Sequence, residues 1–419
     1  MPTTADDRPP YLIALAVAGA VLAGYVATLA PSVTFWDAGE LIAASKILGI
    51  PHPPGTPFFV TLAHVWARLI PVGEYAWRTN LLSATFSAVG AGFWFLTVHE
   101  ILRPSLAGLE PAAARLLRAG GGAAAAMASA FSYTQWQNSN ETEVYAVATF
   151  TIAAIVWLAL RWRASRGTPQ ASKMLLMAVY LGGLSMGNHL LALLVGPALV
   201  GFLAVVLLRA PASSLSERQR EWGEVAVVGG IWALLIGTGL GSTPLVIAGG
   251  ICFAVAATSA VRWGAGRFAL LTWLLASVGV TTYLILFIRA GHRPIINEAD
   301  PSTWEALLAV IRRQQYPVRT PLDDPTQLHG PDNPGRTLTL VGLQLLNYVQ
   351  YFDWQWAMGI KATVASFPLR TLATLLFVTL GVRGFAEQYR HDRATWWLVF
   401  LLFLTTGLGL VAYMNFKPG

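Results

Sequence analysis

Charge is scarce in this chain and cysteine almost absent. Of 419 residues, 12% are Asp, Glu, Lys or Arg, about half the roughly 25% usual in a soluble globular domain. The single cysteine, Cys252, rules out a disulfide framework and a thiolate metal site. It lies in an apolar run and carries no information about redox compartment. No His-x-x-x-His pair supports a zinc site. There is no Walker loop and no dinucleotide fingerprint behind a strand. No repeat of fixed period and no stretch resembling an independent soluble domain is present.

Apolar length is what the chain has instead. It is 55% hydrophobic, with a mean hydropathy of +0.55. Several runs of about 18 to 22 residues carry almost no charge, enough to cross a hydrocarbon core. The pattern predicts an all-α polytopic membrane protein; a barrel would show short alternating strands. Spans are expected near 11–30, 79–101, 119–135, 144–162, 174–187, 189–208, 224–240, 244–261, 268–288, 364–382 and 395–414. The first is too long for a signal-peptide core and reads as a retained span.

The net charge of +7 would suggest nucleic acid in a soluble protein. Here the basic residues read as topology signals, and no nucleic-acid partner is expected. Arg103, Arg115 and Arg118, then Arg161, Arg163, Arg166 and Lys173, then Arg209, Arg218 and Arg220, then Arg262 and Arg267, then Arg383, Arg390 and Arg393 all follow even-numbered spans. The positive-inside rule makes that side cytoplasmic, with the N-terminus inside and Gly419 outside. That requires an odd number of spans, and eleven fits.

Two long segments then fall outside. The first, residues 31–78, predicts two helices along the membrane surface, Glu40–Ile50 and Phe58–Ile70, broken by Pro51, Pro53, Pro54 and Pro57. The second, 289–358, predicts a helix from Ser302 to about Gln315. It ends in an interfacial stretch, Thr337–Met358, whose Gln344, Asn347, Gln350, Asp353 and Gln355 argue against a span. The whole of 1–419 reads as one transmembrane domain.

Chemistry concentrates at the outer ends. Asp37 and Glu40 are three apart, so on a helix they share a face. A carboxylate shielded at the bilayer edge can serve as a general base; acidic residues at a helix N-terminus also simply complement its dipole. His52-Pro53-Pro54-Gly55-Thr56-Pro57 fixes its backbone and would hold the imidazole near the acids, or is a turn with an incidental histidine. Glu141, Glu143 and Tyr145 fall on the same face. Asn188 and His189 join spans five and six; His189 could meet a phosphate or an acceptor, or Asn188 could just cap a helix. Arg289, Arg293, Arg312, Arg313, Arg319 and Arg336 sit where basic residues should be few. A guanidinium at Arg289 or Arg293 could bind a lipid phosphate bidentately; the alternative is neutralisation by Glu298, Asp300, Glu305, Asp323, Asp324 and Asp332.

In order along the chain stand Trp36-Asp37-Ala38-Gly39-Glu40, His52-Pro53-Pro54-Gly55-Thr56-Pro57, Glu143-Val144-Tyr145, Gly187-Asn188-His189 and Pro294-Ile295-Ile296-Asn297-Glu298-Ala299-Asp300-Pro301. This set resembles the bacterial relatives of the transmembrane protein 260 type protein O-mannosyltransferases (domain of unknown function 2723), within the GT-C membrane glycosyltransferases. The resemblance implies a GT-C-like bundle in the bacterial inner membrane, facing the periplasm. It implies a polyprenyl-phosphate-sugar donor, possibly of mannose, and a protein or other hydroxyl acceptor. It also implies that the first outer loop supplies the catalytic carboxylate; Asp37 matches that position, with Glu40 beside it. His52, Glu141, Glu143, Tyr145, Asn188 and His189 are then expected at the sugar or acceptor, and Arg289 and Arg293 at the lipid phosphate. Lipid phosphate is a workable leaving group, so no metal is obligatory, while a divalent ion on the carboxylates stays open. A polyprenyl-lipid transporter or flippase would instead show inverted repeats and mid-membrane polar residues. A non-catalytic lipid-binding scaffold would differ only in forming no product.

Overall fold

Long apolar sequences with few helix breakers leave the backbone one way to satisfy its own polar groups away from water, and the chain takes it throughout. A computed structural model describes residues 8–34, 36–209, 214–316, 320–361 and 363–418. Phe35 and Arg319 therefore lie outside the described residues. Among those described the protein is all helical, with one isolated bridge between Ile50 and Asn297 and no strand. It is an integral membrane protein: nine helices among the described residues are long and apolar enough to cross a bilayer.

After α1 (Tyr11–Thr28) come two shorter helices, α2 (Ala38–Ile47) and α3 (Pro57–Leu69), then α4 (Tyr75–Ile101) and α5 (Pro111–Ala130). A short α6 (Tyr133–Ser139) leads to α7 (Val144–Ala164), α8 (Pro169–Ser185), α9 (Val195–Arg209), α10 (Leu215–Gly239) and α11 (Thr243–Arg262). α12 (Gly266–Val280) continues into α13 (Leu284–Gly291), followed by α14 (Trp304–Ile311) and α15 (Leu338–Ala357). The chain closes with α16 (Phe367–His391), α17 (Arg393–Phe403) and α18 (Gly409–Met414). All eleven stretches read as spans are helical. Nine have the length and hydropathy of a span; α5 and the 17-residue α8 pack among them.

α7 is the centre, packed against α4, α8 and α9 with Trp157 and Trp162 buried. Its 21 residues extend roughly 30 Å, so its two ends define two faces of the molecule. At the Ala164 end the basic residues are tied down. Arg163 pairs with Asp392 at 2.6 Å, and Asp392 also caps α17 by accepting from the Ala394 and Thr395 amides. Arg166 grips Glu221 with two bonds of 2.9 and 2.7 Å. At the Val144 end lie the chain segments 30–57 and 289–337.

α15 lies across this second end rather than through the bundle. Near its start, Gln344 donates to Asn415 and Phe416, just past α18. Near its finish, Gln355 and Tyr351 bond Thr134 of α6. Both anchors belong to the Val144 end. α16 then runs back to the basic end with Arg370 and Thr374 holding Asp353 of α15.

Small residues let α8 and α12 touch backbone to backbone, the usual device where lipid gives helices no hydrophobic reason to associate. A Cβ on Gly279 would lie 2.2 Å from the carbonyl carbon of Gly183. Gly279→Leu is therefore expected to push the two helices apart and cost about 1–3 kcal/mol or more, read as a lower melting temperature in detergent. Gly250→Ala, where nothing lies within 4 Å, should leave the melt unchanged; equal melts for both variants would refute the close packing.

Candidate active site

The site begins at the turn before α2. Asp37 occupies the N-cap position, its carboxylate exposed and its carbonyl accepting from Leu41 at 2.9 Å. One turn on, Glu40 receives a fork from His52: the backbone amide at 2.7 Å and the ring Nδ1 at 2.6 Å. The rigid proline-rich turn thus delivers His52 to Glu40. Burial favours the neutral imidazole, but the hydrogen bond and charge of Glu40, helped by Asp37 and Glu298, outweigh it and raise the His52 pKa.

The second long loop is clasped onto the first. Ile50 donates to Ile296 at 2.8 Å and accepts from Glu298 at 3.0 Å. The Tyr316 hydroxyl donates to the Pro53 carbonyl. Arg289 donates from Nε to Leu48 and from an Nη to Ile47, at 2.8 and 3.2 Å. These are the open carbonyls at the end of α2, where Leu48 turns left-handed. The sequence reading placed Arg289 on a lipid phosphate; the structure uses it as a C-terminal cap. Arg293 is exposed with a left-handed backbone, φ 49°. Glu298, beside Glu40, has its pKa raised by burial and by the Glu40 carboxylate.

Glu143 enters from the start of α7 and is 6% exposed. A buried polar network fixes it. Its amide donates to Ser83 at 3.2 Å. The neighbouring Thr142 hydroxyl lies 2.8 Å from that of Thr79 and 2.6 Å from Asn80 Oδ1. Asn80 in turn donates to the carbonyls of Ala30 and Ser32. Burial, then Glu141 and Asp37, push Glu143 up to about 7, so Asp37 and Glu141 act at the same place. Asn188, expected as a cap or ligand, instead braces the start of α7 by donating to Val144 at 3.1 Å.

His189 takes the capping role: its Nδ1 accepts from the Leu191 amide at 3.1 Å. That leaves Nε2 as the N–H of a neutral ring. Burial first, then the charges of Arg313 and His52, hold its pKa down at about 4. Tyr145 packs edge-on against it, ring centroids 4.9 Å apart. These two line a cavity of about 410 Å³ together with Arg313 and Tyr413, and leucines 190, 191, 193, 194, 240 and 410 form most of its remaining wall. Arg313 has no acidic partner among the described residues. The sequence reading noted Arg313 without choosing it, named Glu298 only as a neutralising charge and motif residue, and missed Tyr316 and the Thr79, Asn80, Ser83 and Thr142 support. No group of three His, Cys, Asp or Glu among the described residues is arranged to hold a metal ion.

Residues 37–211 match the family described as the protein O-mannosyl-transferase TMEM260 N-terminal domain. That stretch is similar to the TMEM260 N-terminal domain. The chain is 33% identical over 175 residues to the protein O-mannosyl-transferase TMEM260 of Mus musculus, covering 42% of this chain and 23% of that protein. It is 36% identical over 77 residues to the protein O-mannosyl-transferase tmem260 of Dictyostelium discoideum, covering 18% of this chain and 9% of that one. The chain thus spans under a quarter of the length of these relatives. No solved structure matches. The TMEM260 stretch contains Asp37, Glu40, His52, Glu141, Glu143, Tyr145, Asn188 and His189, and ends before Arg289 and Arg313.

Glu143 gives the site a pH signature. Its carboxyl is held near 7 in the fold against an ordinary 4.5, so between those values the native state binds more protons than the unfolded one. Stability must then fall as pH rises from about 4.5 to 7. His52, raised above 6.5, acts in the same direction, its share being lost as pH climbs through its folded value. Glu143→Gln should narrow the difference in melting temperature between pH 5 and pH 8 and raise the melt at pH 8. An unchanged difference would show that Glu143 is not held protonated.

Proposed function

We propose that this chain is an inverting membrane glycosyltransferase that moves a sugar from a polyprenyl-phosphate donor to an acceptor hydroxyl, on protein, at the outer face of a bacterial inner membrane. One observation carries the reading. An exposed carboxylate, Asp37, lies close enough to act electrostatically on Tyr145, which lines a leucine-walled cavity that also presents one arginine and one neutral histidine N–H. An apolar channel ending in cationic and neutral donors suits a phosphate on a long hydrocarbon tail.

Asp37 takes the proton of the acceptor hydroxyl as its oxygen attacks the anomeric carbon. The new bond is acceptor oxygen to sugar carbon. The broken bond is sugar carbon to phosphate oxygen, and the electron pair leaves with the polyprenyl phosphate. Arg313 and the Nε2–H of His189 meet the charge gathering on that phosphate. Glu40 and His52 keep the loop of Asp37 in place. Glu143, raised to about 7 and so mostly protonated below neutral pH, can donate to a sugar hydroxyl. Glu141 lies beside it, and Arg293 stays a second candidate cation at the rim. The similarity of residues 37–211 to proteins named O-mannosyl-transferases supports mannose as the sugar and protein as the acceptor.

Purified protein with polyprenyl-phosphate mannose and a serine/threonine peptide tests the reading. Asp37→Asn should reduce transfer by about a hundredfold or more, the scale of a lost general base, with an unchanged melt; normal turnover would remove Asp37 as the base. The two arginines should separate. Arg313→Ala raises the donor KM with little effect on the melt, whereas Arg289→Ala lowers the melting temperature by releasing the α2 carbonyls. The reverse pattern would restore Arg289 as the phosphate ligand.

A further inference from the structure

Immediately before Asp37 stands the most conspicuous exposed aromatic of the chain. Trp36 is 89% exposed and makes no ring contact among the described residues. Its backbone is left-handed, φ 63°, a region that costs an L-residue with a bulky side chain about 1–2 kcal/mol. Glycine or asparagine would make the same turn without strain, so the turn does not explain the indole. A strained residue held next to a reactive group is the pattern that points from geometry to use. On the clasped second loop, Ile295 is 95% exposed next to Ile296, which accepts from Ile50 two residues before His52. Two exposed apolar side chains, Trp36 next to Asp37 and Ile295 three residues before Glu298, thus come from loops far apart in sequence to the neighbourhood of the carboxylates.

Neither Trp36 nor Ile295 lines the leucine-walled cavity. The donor's tail and phosphate are accounted for there, which leaves the solvent rim to the incoming acceptor. We propose that Trp36 is the acceptor-side platform of the site, stacking on a planar or apolar residue next to the polypeptide hydroxyl that Asp37 deprotonates, with Ile295 as its partner across the acids. This rests on the glycosyl-transfer reading above and adds the acceptor's chemistry: a serine or threonine flanked by proline or an aromatic residue. The backbone strain at Trp36 is compensated by a contact that exists only when the acceptor is bound.

The full chain in lipid nanodiscs decides this, with two fluorescein-labelled peptides that share a serine/threonine core, one flanked by proline and tyrosine, the other by glycine. The wild type should bind the first about tenfold more tightly, the equivalent of 1.4 kcal/mol. Trp36→Gly should erase that preference and raise the acceptor KM by a similar factor, while the donor KM is unchanged and the melting temperature is equal or higher because the strain is released. Trp36→Phe should keep most of the preference. Equal binding of both peptides by the wild type, an unaltered acceptor KM in Trp36→Gly, or a rise in donor KM instead would each overturn the proposal. Peptide binding is read without turnover, so a protein that binds with the expected preference but transfers nothing would refute the enzymatic reading alone.

Discussion

The site depends on one clasp between chain segments about 240 residues apart. Glu40 holds His52 by its amide and ring, Ile50 bonds to Ile296 and Glu298, and Arg289 closes the end of α2. Each bond is worth only about 0.5–1.5 kcal/mol net, somewhat more where a charge takes part. Their value is that they act on consecutive residues, 47 to 53, so that segment has one position. Unfastened, the second loop would carry Glu298, Arg313 and Tyr316 away from Asp37 and His52. The half of the site before residue 57 and the half after 289 would then be separate surfaces.

A second constraint works from below. Thr79, Asn80, Ser83 and Thr142 are fully buried and bonded to one another or to the backbone around them. Without those partners each would carry a desolvation penalty of about 1–3 kcal/mol; with them the network locks α4, the exit of α1 and the entry of α7 together. Glu143 inherits its position from that lock. Its proton follows from position: water is largely withdrawn and two other carboxylates face it, so the charged form is doubly disfavoured. Rigidity of the support and protonation of the acid are one fact seen at two scales.

Much of this was legible in the sequence, for a reason that also marks the limit. Hydropathy acts locally, so apolar length marked the eleven long helical stretches and proline breaks placed α2 and α3 within a few residues, while the short polar α6 went unread. Asp37, Glu40 and His52 were legible because they are close in sequence and the turn between them is stiff. The arginines were not. Whether a guanidinium binds a ligand or a carbonyl depends on what the fold brings to it. Arg289 found the open end of α2, while Arg313, 24 residues on, found a cavity made by α7, residues 189–194, α10 and α18. The cap expected of Asn188 went to His189 for the same reason: its ring could reach the Leu191 amide, while Asn188 bonds the Val144 carbonyl. The buried network had left a trace, since positions 79, 80, 83 and 87 put four polar side chains along the start of one apolar helix, and polar groups so placed are retained only where something engages them.

On the proposed glycosyl-transfer reading, the distribution of charge restricts how a donor would lie. Asp37, Glu40, Glu141 and Glu298 cluster with the buried Glu143, and His52 is the cation nearest them. Arg313 lines the leucine-walled cavity with His189. A phosphate turned toward the carboxylates would meet like charge across only a few ångströms of poorly hydrated space, where Coulomb repulsion is little screened. Turned the other way, it meets the guanidinium and a neutral N–H, and its tail has an apolar surface to follow. The sugar is then left between phosphate and Asp37, with its anomeric carbon exposed to attack from the acid side. Inversion at that carbon is what the proposed reaction expects, with the leaving group on the Arg313 side of the sugar and the Asp37 base on the other.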